Sequence, residues 1–295
     1  MVARLQIGTD NIDLESCRER DVKVLQARSA NLRANAEFLV GALLLLYRQS
    51  MLSALAPKPT SPGAPGAHGQ PTHASPYLTP GREINGSTIG LLGIGPAASV
   101  LAVLLSGLGA RLIGYDPALH HSSPMWQQMR VQPVSLLDMM STADAVSVQM
   151  LYASRFKGFV NDRVLAACKR DQVWVSISRS DLFDTKAMAE AMQDGRIGAW
   201  LTDSADEAES HALPLLRTLP NFYATPRIGS QTREARQRAS WYMAHRLHDA
   251  LSPEGTAHDG SGSRSMPLSL PGEVSPSSWI DSAPMANPAV APYTK

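Results

Sequence analysis

Residues 88–117 read TIGLLGIGPAASVLAVLLSGLGARLIGYDP, and this stretch decides the fold. An apolar run leads into a glycine turn, a helix-like run follows, and a second apolar run ends on an acid. That order is what a dinucleotide requires. Gly93 permits a tight turn, and Gly95 has no side chain to keep a pyrophosphate from the backbone. Pro96 and Ala97 open the helix, and Ala98 is small enough for the helix to pack on the strand. The helix start then offers N–H groups and the positive end of its dipole to phosphates. Asp116 stands 21 residues after Gly95, where an acid hydrogen-bonds the adenosine ribose. Pro117 and Ala118 follow it, with no base to hold a 2′-phosphate, so the expected cofactor is NAD rather than NADP.

Working outward, strand and helix signals alternate. Strands are predicted at 88–93, 110–115, 145–150, 173–178, 197–202 and 222–226. Helices are predicted at 97–108, 135–142, 161–169, 185–194 and 231–250. Asp184 before one helix and Gly195 after it form a cap-and-stop pair. Such alternation implies a doubly wound α/β fold, a parallel sheet covered on both faces, with ligands at the carboxyl ends of its strands. Upstream, a short helix is predicted at 12–20 with Asp13 as its cap, a strand at 22–27, and a long helix at 31–53. Residues 57–81 hold seven prolines and four glycines, which reads as a surface loop; 252–295 hold seven prolines and four glycines with many serines, which reads as a disordered tail.

Composition excludes other classes. Lys+Arg 27 against Asp+Glu 26 leaves a charge of +1, which offers no general grip on nucleic acid or an anionic membrane. Cys17 and Cys168 form no CxxC pair, the histidines show no metal spacing, and neither a disulfide framework nor a metal site is expected. The start MVARLQIGTD has no apolar core after its basic residue, so it is not read as a signal peptide. The longest apolar run, Phe38–Tyr47, falls well short of the ~20 residues of a membrane span and reads as a buried helix. A reduced, cytoplasmic setting is expected.

Several further stretches, in order over 5–250, carry a resemblance. IGTDNIDLESCRERDVKV at 7–24 and ANLRANAEFLVGALLLLYR at 30–48 resemble the segment and crossover helix of the D-isomer-specific 2-hydroxyacid dehydrogenases. VSISRSDLFDTKAMAEAMQDGRIGAW at 175–200 resembles that family's arginine-bearing strand, loop and helix. TLPNFYATPRIGSQTREA at 218–235 resembles its histidine-bearing segment. The resemblance implies a Rossmann-type NAD-binding domain with a second substrate domain, here truncated. The divisions expected are 1–30 as a remnant of the substrate domain, 31–56 as the crossover helix, 57–81 as the loop, 82–228 as the NAD-binding domain, 229–251 as the helix returning to the substrate domain, and 252–295 as the tail. The opening of the substrate domain is not among these residues, so the chain is read either as starting upstream of Met1 or as a shortened member. The resemblance also implies a homodimer, partly through the long helix.

The implied reaction is hydride transfer between NAD(H) and a small 2-hydroxy or 2-oxo acid. Arg179 takes the place of the family arginine that grips the carboxylate and polarises the carbonyl, work suited to a planar, permanently charged fork. At the family's histidine position stands Arg227, which cannot exchange a proton near neutrality but can stabilise an alkoxide or hold a second anion. Glu207 or Glu209 falls near the place of the glutamate that orients the histidine. Asp203 matches the aspartate that contacts the nicotinamide carboxamide. Ser180 replaces a glycine, Ser176 an asparagine, and Gln149–Met150–Leu151 the usual His–x–Pro. Two readings follow: an oxidoreductase with a changed acid/base arrangement, or an NAD(H)-binding regulatory or redox-sensing relative that has lost turnover.

Overall fold

The computed structural model describes residues 1–5, 12–27, 29–48, 80–204 and 213–251. The loop at 57–79, the tail at 252–295, Glu207, Glu209 and the 49–53 end of the expected long helix lie outside the described residues. The chain divides into two compact units, one of residues 1–34 and 231–295, the other of 35–230.

The larger unit is the predicted doubly wound α/β domain. Its seven parallel strands are β3 (Thr88–Leu92), β4 (Arg111–Tyr115), β5 (Gln132–Pro133), β6 (Ala145–Val148), β7 (Gln172–Ser176), β8 (Ile197–Thr202) and β9 (Phe222–Ala224), in the order β5-β4-β3-β6-β7-β8-β9. The chain runs from β3 outward to β5, then crosses back to place β6 on the other side of β3. The strand order therefore reverses between β3 and β6, and ligands of open α/β sheets bind at the carboxyl ends beside such a reversal.

The sequence explains the elements. TIGLL in β3 and QVWVS in β7 are buried at every position, as strands covered on both faces must be. Gln172 satisfies its burial by donating to the Met140 and Ala143 carbonyls at the end of helix α5 (Leu136–Thr142), each at 2.8 Å, and by accepting from Trp174 Nε1 at 3.0 Å. Trp200 of β8 packs between Phe183 and Phe222, its ring centre 4.9 and 5.1 Å from theirs. At the amino ends of β3 and β6, Asp144 accepts from Arg82 and Lys169 at 2.7 Å each and from Thr88 N at 2.8 Å. Burial alone would raise its carboxyl pKa, but these hydrogen bonds outweigh burial and bring it down to about 2. Asp144 thus ties the end of the sheet away from the site.

The Asp184 and Gly195 pair bounds α7 (Thr185–Gln193): Asp184 Oδ1 accepts from Lys186 N and Ala187 N at 3.1 Å, and Gly195 adopts φ +79°. Helix α6 is shorter than expected, Asp162–Leu165, because after Leu165 the amides of Ala167 and Cys168 turn back onto carbonyls three residues earlier. Several short elements were not anticipated, among them β1 (Val2–Arg4), α4 (Pro124–Gln128), β5 and α8 (Leu213–Arg217). Each is too short for periodicity to show.

Helix α2 (Leu32–Tyr47) buries Leu39, Leu43 and Leu46 within the chain, as its apolar run predicts, and leaves Gly41 and Leu44 exposed. In the smaller unit, β1 (Val2–Arg4) pairs in parallel with β2 (Val24–Gln26), near α1 (Leu14–Glu19), whose cap is Asp13 as expected. There Leu25, Ala27 and Ala30 cluster with Ala239 and Met243 of α9 (Arg233–Leu251), and the buried Arg238 Nε donates to Ala30 O at 2.9 Å. Among the described residues no helix is long and apolar enough to cross a membrane, and no three His, Cys, Asp or Glu side chains gather to hold a metal.

Candidate active site

The sequence-selected residues that fall within the described residues all leave carboxyl ends of the sheet: Gly93 and Gly95 after β3, Asp116 after β4, Arg179 after β7, Asp203 after β8 and Arg227 after β9. The structure therefore brings five loops of the larger unit to one edge.

Two glycines of the first turn serve different needs. Gly93 sits at φ +96°, and a Cβ there would lie 2.5 Å from the Met150 Cα, so β3 and β6 can leave side by side only with glycine. Its N–H donates to Tyr115 O at 2.9 Å, and its carbonyl accepts from Gln149 Nε2 at 2.7 Å. Gln149 is itself oriented by Ser147 Oγ at 2.9 Å. Gly95 has ordinary extended backbone (φ −109°, ψ −173°) and caps α3 (Pro96–Gly107). A Cβ on it would meet nothing within 4 Å. Open space above a helix start, where Pro96 has no N–H to lose and Ala97 and Ala98 carry first-turn amides, suits a phosphate.

Asp116 Oδ2 accepts from Ile94 N, and Oδ1 from Ala118 N, both at 2.7 Å. The acid expected at the ribose thus also shapes the glycine turn. Each oxygen keeps a lone pair for a ligand.

Arg179 is based on two buried serines. Ser176 Oγ accepts from Ser178 N at 3.0 Å, and Ser178 Oγ donates to Met150 O at 2.8 Å, which ties the β6 and β7 loops together. The guanidinium carbon of Arg179 lies 5.2 Å from the centre of the Tyr152 ring, and Nη2 lies 3.4 Å from Asp181 Oδ2. Sequence reasoning passed over the roles of Tyr152 and Ser178, which depend on two loops meeting, and that of Asp181, which lies in a loop without periodicity.

Asp203 is 6% exposed. Its Oδ1 accepts from Thr225 Oγ1 and from Ile228 N (2.8 Å), and its Oδ2 from Gly229 N (2.8 Å). Arg227 lies within this turn at φ +53°, uncommon for a side-chain-bearing residue. Glu207 and Glu209 lie outside the described residues.

Comparison with known proteins agrees with this fold. The family profile "D-isomer specific 2-hydroxyacid dehydrogenase, NAD binding domain" matches residues 68–229. The chain belongs to that family. It is of the NAD-dependent oxidoreductase type, and NAD is its cofactor. It is 29% identical over 250 residues to the (S)-sulfolactate dehydrogenase of Chromohalobacter salexigens, covering 85% of this chain and 77% of that protein. It is also 29% identical over 254 residues to the D-3-phosphoglycerate dehydrogenase of Mycobacterium tuberculosis, covering 86% of this chain and 45% of that one. The chain thus spans less than half the length of the latter relative. Among solved structures, the D-lactate dehydrogenase of Escherichia coli shares the fold with a TM-score of 0.70 at 23% identity, over 84% of this chain and 74% of that chain.

Proposed function

We propose that this chain transfers hydride between NAD(H) and a small 2-hydroxy or 2-oxo acid at the carboxyl edge of its sheet. The observation that carries the reading is the convergence there of an open glycine turn, an acid and two arginines from separate loops. Gly93, Gly95, Pro96, Ala97 and Asp116 would hold the dinucleotide; the space above Gly95, which a Cβ would partly fill, fits its pyrophosphate. Bound NAD supplies the hydride or accepts it.

The residues of this chain do the rest. In the reductive direction Arg179 pairs with the substrate carboxylate and draws charge onto the carbonyl oxygen. That oxygen must gain a proton as the carbonyl carbon gains hydride. Arg227 stabilises the developing alkoxide without supplying the proton, which comes from water. A second anion on the substrate also suits Arg227, and by their names two relatives act on a sulfonated and a phosphorylated acid. The smaller unit fits the reading of 1–30 and 229–251 as parts of a substrate domain.

The test is a pH–rate profile. Since an arginine stays charged throughout, kcat/KM for 2-oxo acid reduction should lack a histidine break across roughly pH 6–8.5. Arg227→His should introduce a break near ~6.5, the ordinary histidine value. A neutral break already present in the parent chain would contradict this role for Arg227.

A homodimer and a cytoplasmic setting belong to the same reading. Cys17 and Cys168 form no CxxC pair, which suits a reducing compartment. Helix α2 exposes a stripe of Glu37, Gly41, Leu44 and Arg48. A two-fold axis between Ala42 and Leu43 sets Gly41, which has open space above it, against the partner's Leu44, and Glu37 against the partner's Arg48. Sedimentation should give a dimer for the parent chain and a monomer for Leu44→Glu. A dimer for both would remove α2 from the interface.

A further inference from the structure

We infer that Tyr152 is a positioning residue: its ring covers one face of the Arg179 guanidinium and holds the fork in the plane where a substrate carboxylate meets it. The inference rests on the reading of Arg179 proposed above, as the residue that binds that carboxylate.

Three observations carry it. First, the guanidinium carbon lies over the Tyr152 ring, 5.2 Å from its centre, within the ~6 Å reach of a cation–π attraction. A guanidinium carries all its donors in its own plane. A ring on its face therefore uses none of them and leaves the edges to an anion. Both residues are half-buried, which strengthens the attraction over that of a surface pair. Second, the segment that carries Tyr152 is anchored on both sides of it to the segment that carries Arg179. Before the ring, Met150 O accepts from Ser178 Oγ at 2.8 Å. After it, Gly158 N donates to Asp181 O at 2.8 Å and Val160 N to Leu182 O at 3.0 Å. Third, the contact at one edge of the fork is exchangeable. Asp181 Oδ2 stands 3.4 Å from Nη2, long for a charge-assisted hydrogen bond, and both side chains are partly exposed. An incoming carboxylate can take that edge while the ring keeps the face.

An arginine side chain has many rotamers, and ordering it on binding costs affinity. A ring that already holds the guanidinium lowers that cost. The substrate carboxylate is charged before and after hydride transfer, so the gain falls on KM more than on kcat.

Oxalate carries the same carboxylate but accepts no hydride, so it reads this grip without turnover. Titrated calorimetrically into the chain saturated with NADH, it should bind about tenfold more weakly to Tyr152→Ala and to Tyr152→Leu than to the parent, the scale of a partly desolvated cation–π pair. KM for 2-oxo acids should rise by a similar factor, with a smaller change in kcat. Tyr152→Phe keeps the ring and should stay within about threefold of the parent, as should the NADH affinity of every Tyr152 variant. Parent-like oxalate binding by Tyr152→Leu would overturn the inference. So would an equal loss in Tyr152→Phe, which would assign the effect to the hydroxyl. If Tyr152→Ala fails to fold, the contrast between leucine and phenylalanine at this position decides the matter. Arg179→Ala separates the two claims. No oxalate binding by the parent, or parent-like binding by Arg179→Ala, would remove the reading of Arg179 and the inference with it. Binding lost in Arg179→Ala but kept in Tyr152→Leu would remove the inference alone.

Discussion

Arg179→Ala should lower kcat/KM for 2-oxo acid reduction on the order of a thousandfold, the scale expected when one partner of a desolvated charge pair is removed. NADH affinity should be unchanged. Arg179 leaves the carboxyl end of β7, and its loop is tied to the β6 loop by Ser178 Oγ on Met150 O. Beside the guanidinium stand the Tyr152 ring and the Asp181 carboxylate. A substrate carboxylate would take hydrogen bonds from the same fork. Arg179→Lys keeps the charge but loses the planar pair of donors, and should recover only part of the rate. Parallel kinetics and NADH titration check this. Full turnover in Arg179→Ala would remove Arg179 from the mechanism.

The second large effect separates two glycines that look alike in sequence. Gly95→Val should fold with the parent's melting temperature and lose NADH affinity by about a hundredfold or more, since only the dinucleotide needs the space it fills. Its backbone is extended, which valine tolerates, and its Cβ touches nothing within 4 Å. Gly93→Ala should instead cost stability, ~3 kcal/mol or more, because it combines φ +96° with a Cβ 2.5 Å from the Met150 Cα. Melting curves and NADH titrations on both variants distinguish the outcomes. Parent-like NADH binding by Gly95→Val would place the cofactor elsewhere.

How much of this was legible in the sequence depends on how local each signal is. The glycine turn, the Asp184–Gly195 pair around α7 and the buried strands β3 and β7 are written in a few neighbouring residues, so they could be read directly. Arg179 and Arg227 were legible through their positions within stretches that resemble the family's. Asp203 was legible in the same way, but its hold on the 225–229 turn was not. Its partners lie 22–26 residues away, brought to it by the pairing of β8 with β9. Gln149 stood out only as a departure from the family pattern; that it orients the Gly93 carbonyl became clear once β3 and β6 were seen side by side. The pairing of Asp181 with Arg179 is close in sequence but was hidden by a loop that carries no periodicity.

The central claim is that this edge of the sheet uses NAD for chemistry as well as binding it. The most direct measurement is the loss of the reduced-nicotinamide absorbance when the chain, NADH and a panel of small 2-oxo acids, with and without a second anionic group, are mixed. The account predicts NADH consumption matched by formation of the 2-hydroxy acid for at least one member, abolished in Arg179→Ala. Saturable NADH binding with no consumption across the panel would contradict it and would describe a protein that holds the cofactor without turning it over.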